Sequence, residues 1–259
     1  MKKVNVFGHR GDSAHAPENT LPAFALAMER GADGIELDVH LSRDGELVVI
    51  HDETLDRTTN GTGLVKDHTL AQLRNLCADN GMDGFAEARI PTLREVLALV
   101  QPGTMQVNIE LKTGILWYEG IEEKALALVN GMGMKDRVIW SSFNHYSIRE
   151  VRRLDPTART AWLFGDVICD VEKLAAAQGV NGLHPALYHT QMRDLLETYL
   201  ASGLDLAEYR RRGGPDFTPR QRAFLAHCQQ AGYLTLTPQR LTLTPLGMIV
   251  QNAILEELI

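Results

Sequence analysis

The chain has 259 residues, 44% of them hydrophobic and 23% charged, and a formal net charge of −7. That apolar content suffices for one large α/β barrel-type domain, or for a smaller domain with an appendage. The negative balance argues against a nonspecific nucleic-acid binder and against adhesion to anionic membranes, while leaving room for an acidic substrate in a local cationic pocket.

At the N-terminus, MKKVNVFGHRG carries two lysines but only a short apolar run, unlike a signal peptide. No later run approaches membrane-spanning length, so a cytoplasmic protein is expected. Cys77, Cys169 and Cys228 are odd in number and far apart, which suits neither a disulfide framework nor a zinc site. They are expected as reduced, mostly buried thiols.

The first apolar run, VNVFG (4–8), precedes an amphipathic segment at 20–31. In the second, GIELDV (34–39), residues two apart share a strand face. Glu36 and Asp38 therefore lie together, opposite Ile35, Leu37 and Val39. LVVIH (47–51) follows after a short Arg43-Asp44-Gly45 turn, and reads as an excursion rather than a strand of the main sheet. Segment 52–90, with Asn60-Gly61-Thr62-Gly63, reads as an inserted loop or small subdomain. A Thr92-x-x-Glu95 capping box opens a helix to about 100. The runs MQVNIEL (105–111), RVIWSSF (137–143), TAWLFG (160–165) and VNGLH (180–184) then alternate with helical patterns near 119–131, 145–154, 170–178 and 188–202. Such alternation predicts a parallel sheet of six βα units, open or closed into a barrel.

Near residue 203 the pattern changes. DLAEYRRRGGPDFTP is basic and turn-rich, TPRQRAFLAHCQQAG is a helix capped by Thr218 with Pro219 at its first position, YLTLTPQRLTLT is a hairpin around Pro238-Gln239, and TPLGMIVQNAILEELI is a last helix. The boundary is placed at 200–206, giving a barrel-like domain at 1–203, with an insertion at 52–90, and a helix–hairpin–helix unit at 204–259.

In parallel α/β barrels, chemistry sits at the C-terminal ends of strands. Those ends here carry His9 and Arg10, Glu36 and Asp38, Glu110 and Lys112, with His51 after the excursion. Converging carboxylates without cysteine suit a hard divalent cation, Mg²⁺ or Ca²⁺, and resolve why charge enters an apolar strand. Two histidines can divide general acid and base work, while Arg10 and Lys112 can hold a phosphate. Together these spell metal-assisted phosphodiester cleavage. Plain buried ion pairs, Glu36 with Arg10 or Glu110 with Lys112, are the simpler reading of each pair alone, but not of all the groups at once. His15, His40, His68, His145 and His189 are read as surface or satisfied core histidines; His184 faces the same rim as the site.

The stretches GHRGDSAHAPENTLPAF, GIELDVHLSRDGELVVIHDETLDRTTNGTG, IPTLREVL and VNIELK closely resemble the glycerophosphodiester phosphodiesterases, from residue 4 to about 200. The resemblance implies a TIM-type (β/α)₈ barrel and Mg²⁺- or Ca²⁺-dependent hydrolysis of glycerophosphodiesters to glycerol 3-phosphate and an alcohol. It implies His9 and His51 as the acid/base pair, Glu36, Asp38 and Glu110 as metal ligands, and Arg10 and Lys112 as phosphate clamps. SSFNH around Phe143 and GLHP around His184 resemble substrate-side rim segments.

Beyond the sixth helix the chain departs from that family, lacking its last two βα units. The remainder resembles the C-terminal end of coproporphyrinogen-oxidase-like radical SAM heme chaperones, without the cysteine motif that binds their cluster. An open sheet edge and a missing wall predict impaired turnover and association into a homodimer or aggregates. Two other functions compete with the enzyme of small molecules. One is a catalytically inactive binding or scaffold protein using a winged-helix-like tail, with Arg210, Arg211 and Arg212 as its basic element. The other is a related barrel lyase acting on phospholipid head groups.

Overall fold

A computed structural model of the chain describes residues 5–186, 189, 204–205, 219–230, 234–237 and 240–243. Val6–Phe164 with Ile168–His184 form one compact unit, and the described residues from Pro185 onward belong to a second, with Asn5 and Gly165–Val167.

The first unit is built on one sheet. Its strands are β1 (Phe7–His9), β2 (Gly34–Leu41), β3 (Leu47–Val49), β4 (Gln106–Leu111), β5 (Val138–Ser142), β6 (Arg159–Phe164) and β7 (Gly182–Pro185). The order is β1-β2-β4-β5-β6-β7, and the pairs from β1 to β6 are parallel. β3 folds back antiparallel on β2, with Val39 opposite Val49, so the excursion read from the short turn is a hairpin arm outside the sheet order. Helices α1 (Leu21–Glu29), α3 (Leu93–Val100), α4 (Ile121–Gly131), α5 (His145–Leu154) and α6 (Val171–Ala177) lie in the connections, with the short α2 (Leu70–Leu73) inside the excursion.

The strand period sorts the sheet's two faces. Ile35, Leu37, Val39, Val107, Ile109 and Leu111 are fully buried in one cluster with Phe24, Leu93, Leu97 and Ile121 from the helices. A sheet covered on both faces reads as a nearly continuous buried run, and all of β2 but Leu41 is buried. Its other face is polar. Gly11 sets how closely α1 meets the β1 end: at φ +83° an added Cβ would lie 2.6 Å from the Ala23 carbonyl carbon, so only glycine fits. The capping box of α3 forms as read, Glu95 N donating to Thr92 Oγ1 at 3.3 Å and Thr92 N to Glu95 Oε2 at 2.8 Å.

Segment 52–90 is more organised than a loop. Val48, Ile50, Leu55, Val65, Leu73, Ala78 and Ile90 form a second apolar cluster, and Thr54 bridges Leu64. Its apolar residues have neither strand nor helix period, which hides this core from pattern reading.

In the second unit, helix Pro219–Gln230 and the antiparallel strands Leu234–Leu236 and Arg240–Leu243 match the expected helix and hairpin. A third strand, Leu204–Asp205, pairs with Arg240–Leu241 from a stretch whose composition suggested only a turn. Leu225, Cys228 and Leu234 are buried. The helices expected at 188–202 and after 244 lie outside the described residues. Cys228 is the one buried cysteine; Cys77 is half-buried and Cys169 exposed, against the expectation of mostly buried thiols.

Candidate active site

Sheet register assembles the polar face. His9 lies beside Glu36, which lies beside Asn108; one row further along, Asp38 lies beside Glu110, which lies beside Ser141. Side chains opposite one another in register share a face, so six polar groups from four strands converge. Oxygens of Glu36, Asp38 and Glu110 lie within 4.8 Å of one another, and the three residues are 9%, 1% and 7% exposed.

Cations reach this trio from two sides. Lys112 Nζ is 3.0 Å from Glu110 Oε1 and 3.6 Å from Asp38 Oδ1. Arg10 Nε is 3.6 Å from Asp38 Oδ2, and the Arg10 backbone N–H donates to Glu36 Oε2 at 3.0 Å. Arg10 holds a left-handed backbone, φ 57°, a strained state for a residue with a side chain. Asn19 shares that conformation and donates from Nδ2 to Asp38 Oδ2 at 2.8 Å. His9 Nε2 stands 3.8 Å from Glu36 Oε2, on a ring 66% exposed.

Electrostatically the trio is short of positive charge. Burial, then Asp38 and Glu110, push the Glu36 carboxyl well above its ordinary range. Burial and Asp38 push Glu110 up to about 7, even with Lys112 beside it. Burial opposes the Lys112 charge, but Glu110 and Asp38 outweigh it and hold the ammonium above its usual range. Asp38 Oδ1 is buried without a hydrogen bond, as are Asn108 Oδ1 and Ser141 Oγ. Three crowded carboxylates, with an oxygen lacking a donor, make the donor set a hard divalent cation requires. The residues present fit such an ion.

His51 follows β3 and its strand-terminal bend. Its Nδ1 is 2.6 Å from Asp52 Oδ1. Asp52 accepts from Arg57, and Arg57 also binds Glu18, which accepts from Arg10 Nη1 at 3.0 Å. The backbone carbonyl of His51 lies 3.2 Å from His40 Nε2, whose Nδ1 is 2.9 Å from the Tyr118 hydroxyl. His40 is fully buried, and burial lowers its imidazole from 6.5 to about 4. It is a satisfied core histidine, as expected, but one that holds the His51 backbone. Phe143, just past β5, is 54% exposed, and a Cβ on Gly114 would lie 3.8 Å from its Cβ. His184, half-buried in β7, is lowered by burial. Neither forms a hydrogen bond or ion pair with the trio.

Sequence reasoning did not single out Glu18, Asn19, Asp52, Arg57, Asn108, Tyr118 or Ser141, and it gave His40 no part in the site. Asn19 and Asn108 carried a usable signal: Asn19 is a polar residue in the first loop, and Asn108 shares strand parity with Glu110. Asp52 also carried one, since it adjoins His51 and lies five residues from Arg57; the rest depend on pairings across long stretches of chain.

Parallel strands whose C-terminal ends carry an acidic trio, two cations and an imidazole, with a second imidazole after the antiparallel arm, define an α/β barrel-type hydrolase site. The profile of the Glycerophosphoryl diester phosphodiesterase family matches residues 9–210, and the chain belongs to that family. Its enzyme class is that of the glycerophosphodiester phosphodiesterases. A glycerophosphodiester phosphodiesterase of Caldanaerobacter subterraneus subsp. tengcongensis is 47% identical over 207 residues, 79% of this chain and 84% of its own length. One from Bacillus altitudinis is 44% identical over 184 residues, covering 70% of this chain and 75% of its own. An Oleispira antarctica phosphodiesterase, solved with the product sn-glycerol-3-phosphate, superposes with a TM-score of 0.65 at 27% identity, over 97% of this chain and 96% of that one. A glycerophosphodiester phosphodiesterase structure from Agrobacterium tumefaciens gives a TM-score of 0.65 at 33% identity, over 78% of this chain and 85% of that one. The HemN C-terminal domain profile matches residues 195–250, in line with the resemblance read for the tail. No helix among the described residues is long and apolar enough to cross a membrane.

Proposed function

We propose that the chain hydrolyses glycerophosphodiesters to glycerol 3-phosphate and an alcohol, with a divalent cation, Mg²⁺ or Ca²⁺, held by Glu36, Asp38 and Glu110. The observation that carries this reading is the buried, charge-deficient trio, its oxygens within 4.8 Å of one another, flanked by Arg10 and Lys112. When bound, such a cation supplies charge stabilisation to a phosphoryl oxygen. Arg10 and Lys112 hold the phosphate, the first as a fork and the second as a point charge. His9 and His51 exchange protons with the attacking and leaving oxygens. Phe143 and His184 line the substrate's side of the rim.

The domain reading belongs to the same proposal: a barrel-like domain to about 203, lacking its last two βα units, and a helix–hairpin tail from 204. The two family profiles, which overlap at residues 195–210, support a junction there. Three free thiols suit the reducing cytoplasm. Strands β1 and β7 end the described strand order, and pairing through such edges favours a homodimer, which sedimentation at micromolar concentration measures.

The test is release of glycerol 3-phosphate from glycerophosphocholine with and without Mg²⁺ or Ca²⁺, alongside His51→Ala. Metal-dependent release, abolished by the substitution, is the expected result. A folded protein that releases nothing with either metal overturns the reading. It would favour the second one, a binding protein using the tail, for which the HemN C-terminal domain match is the supporting observation.

A further inference from the structure

His51 sits at one end of a chain of charged contacts, and Arg57 is its hinge. Arg57 Nε donates to Asp52 Oδ2 at 2.7 Å and Nη2 to Asp52 Oδ1 at 2.9 Å. Its Nη1 and Nη2 also reach Glu18 Oε2 and Oε1, both at 2.8 Å. One guanidinium thus grips two carboxylates, each by two bonds. Asp52 Oδ1 accepts from Arg57 and from His51 Nδ1 at the same time. An ionised carboxylate can only accept, so His51 carries a proton on Nδ1, leaving Nε2 as the nitrogen that can exchange a proton.

The turn bearing Arg57 is itself fixed. Leu55 is fully buried in the core of segment 52–90, and its carbonyl accepts from Thr59 N at 3.1 Å and Thr59 Oγ1 at 2.7 Å. Thr59 Oγ1 in turn accepts from Gly61 N at 2.9 Å. Gly63 N donates to Asp56 Oδ2 at 3.0 Å. A surface ion pair on a loose loop fixes no orientation, whereas bidentate geometry on an anchored turn does, even where the pair adds little stability. The small apolar core therefore has a use beyond its own stability: it presents Arg57.

We propose that Arg57 is a positioning residue, which through Asp52 fixes the ring orientation and tautomer of His51, so that segment 52–90 is part of the catalytic apparatus. The proposal rests on His51 as an acid/base group, the reading given above. Without Arg57, Asp52 keeps only the imidazole and can turn toward water. The His51 ring then loses its single orientation, while the sheet, the trio and Lys112 keep theirs.

The experiment compares the full-length wild type with Arg57→Ala, Arg57→Lys, Asp52→Asn, the Arg57→Ala/Asp52→Asn double variant and His51→Ala. It measures kcat and KM for glycerophosphocholine with Mg²⁺ or Ca²⁺, with thermal midpoints alongside. Arg57→Ala is expected to lower kcat about 10- to 100-fold, the usual size for a partner that orients a reacting group, with KM changed much less. Lysine restores little, because one point donor cannot grip both carboxylates. Added guanidinium ion restores part of the Arg57→Ala rate, and the double variant is no slower than Asp52→Asn alone. Ring-nitrogen NMR of His51, read without turnover, should show the Nδ1-protonated tautomer in the wild type and its loss in Arg57→Ala. Arg57→Ala with wild-type kcat, or with an unchanged His51 tautomer, overturns the proposal while leaving His51 in place if His51→Ala is inactive. Full turnover by His51→Ala overturns instead the acid/base reading on which it rests.

Discussion

Two networks of charge lie side by side at the strand ends, built from the same residue types with opposite results. In the buried one, Glu36, Asp38 and Glu110 share Arg10 and Lys112, at 3.0–3.6 Å, and burial with mutual repulsion raises Glu36 and Glu110. In the half-exposed one, Glu18 and Asp52 share Arg57. Burial works against the Glu18 charge, but Arg57 and Arg10 outweigh it and hold that carboxyl below its ordinary range. The Arg57 hydrogen bonds do the same for Asp52. Burial costs a carboxylate its water, and what decides the outcome is whether enough donors replace that water. The second network is complete and serves to hold geometry. The first is incomplete, and an incomplete buried network is where a ligand has work to do.

The largest effect that separates them is removal of Asp38. In Asp38→Asn the trio loses its least exposed charge, and turnover with Mg²⁺ or Ca²⁺ is expected to fall by at least about 10³-fold, the equivalent of several kcal/mol of charge stabilisation. The same substitution should erase stabilisation by the cation. A saturating divalent ion at a hundred times its Kd adds about 2.7 kcal/mol to the wild type, which a thermal melt resolves. A wild-type melting point indifferent to both ions would place the missing charge elsewhere.

Core truncations come next and separate the sheet from the excursion. Leu37 and Leu55 are both fully buried, one in the sheet's helix-facing cluster and one in the core of segment 52–90. Each leucine-to-alanine change is expected to cost about 2–5 kcal/mol in urea unfolding, including the cavity it leaves. Their local signatures differ. Leu55→Ala should speed hydrogen exchange around residues 55–63 while β4 stays protected, and it should lower kcat with it, because the Arg57 turn hangs from Leu55. Leu37→Ala should lower the protection of all the strands together.

The contrast between the networks also marks what the sequence could say. Strand parity places Glu36 beside Asp38 and Glu110 beside Lys112, and the rule that chemistry gathers at strand ends adds His9, Arg10 and His51. Helices α1, α3, α4, α5 and α6 fall within a few residues of their expected bounds, since apolar period and caps are local signals. The holding network is local only where Asp52 meets His51 and Arg57. Glu18 meets Arg57 across 39 positions and His40 meets Tyr118 across 78, and no period encodes such pairs. The small core of 52–90 escaped for the same reason, its apolar residues being spaced by turns. Strand Leu204–Asp205 is two residues long, too short for any alternation to show.

A smaller effect tests the local signal itself. Thr92 and Glu95 satisfy each other's backbone donors at the start of α3, whose Leu93, Val96, Leu97 and Val100 are buried. Thr92→Ala should lower stability by about 1 kcal/mol, with the fold otherwise unchanged. A loss several times larger would mean that the cap also sets how α3 seats on the sheet, through the Val48–Thr92 bridge.

The smallest effect concerns the complete network under acid. Asp52 is held below its ordinary 3.8 and Glu18 below its ordinary 4.5, so on acidification the unfolded chain takes up protons before the folded one. The stability these groups contribute is therefore whole above those ordinary values, and it drains as the pH falls through them toward the lower folded ones. Arg57→Ala removes the strongest donor to both carboxyls and leaves Asp52 with His51 and Glu18 with Arg10, so both shifts shrink and the acid limb of the stability curve should flatten in part. At neutral pH the same variant should lose only what a partly exposed pair contributes, about 0.2–1 kcal/mol, or at most a few degrees of Tm. Urea midpoints of wild type and variant between pH 3 and 7, differing least in acid and most near neutrality, are the expected pattern. A gap that widens in acid would mean that Arg57 stabilises the chain by packing of its stem rather than by its charge.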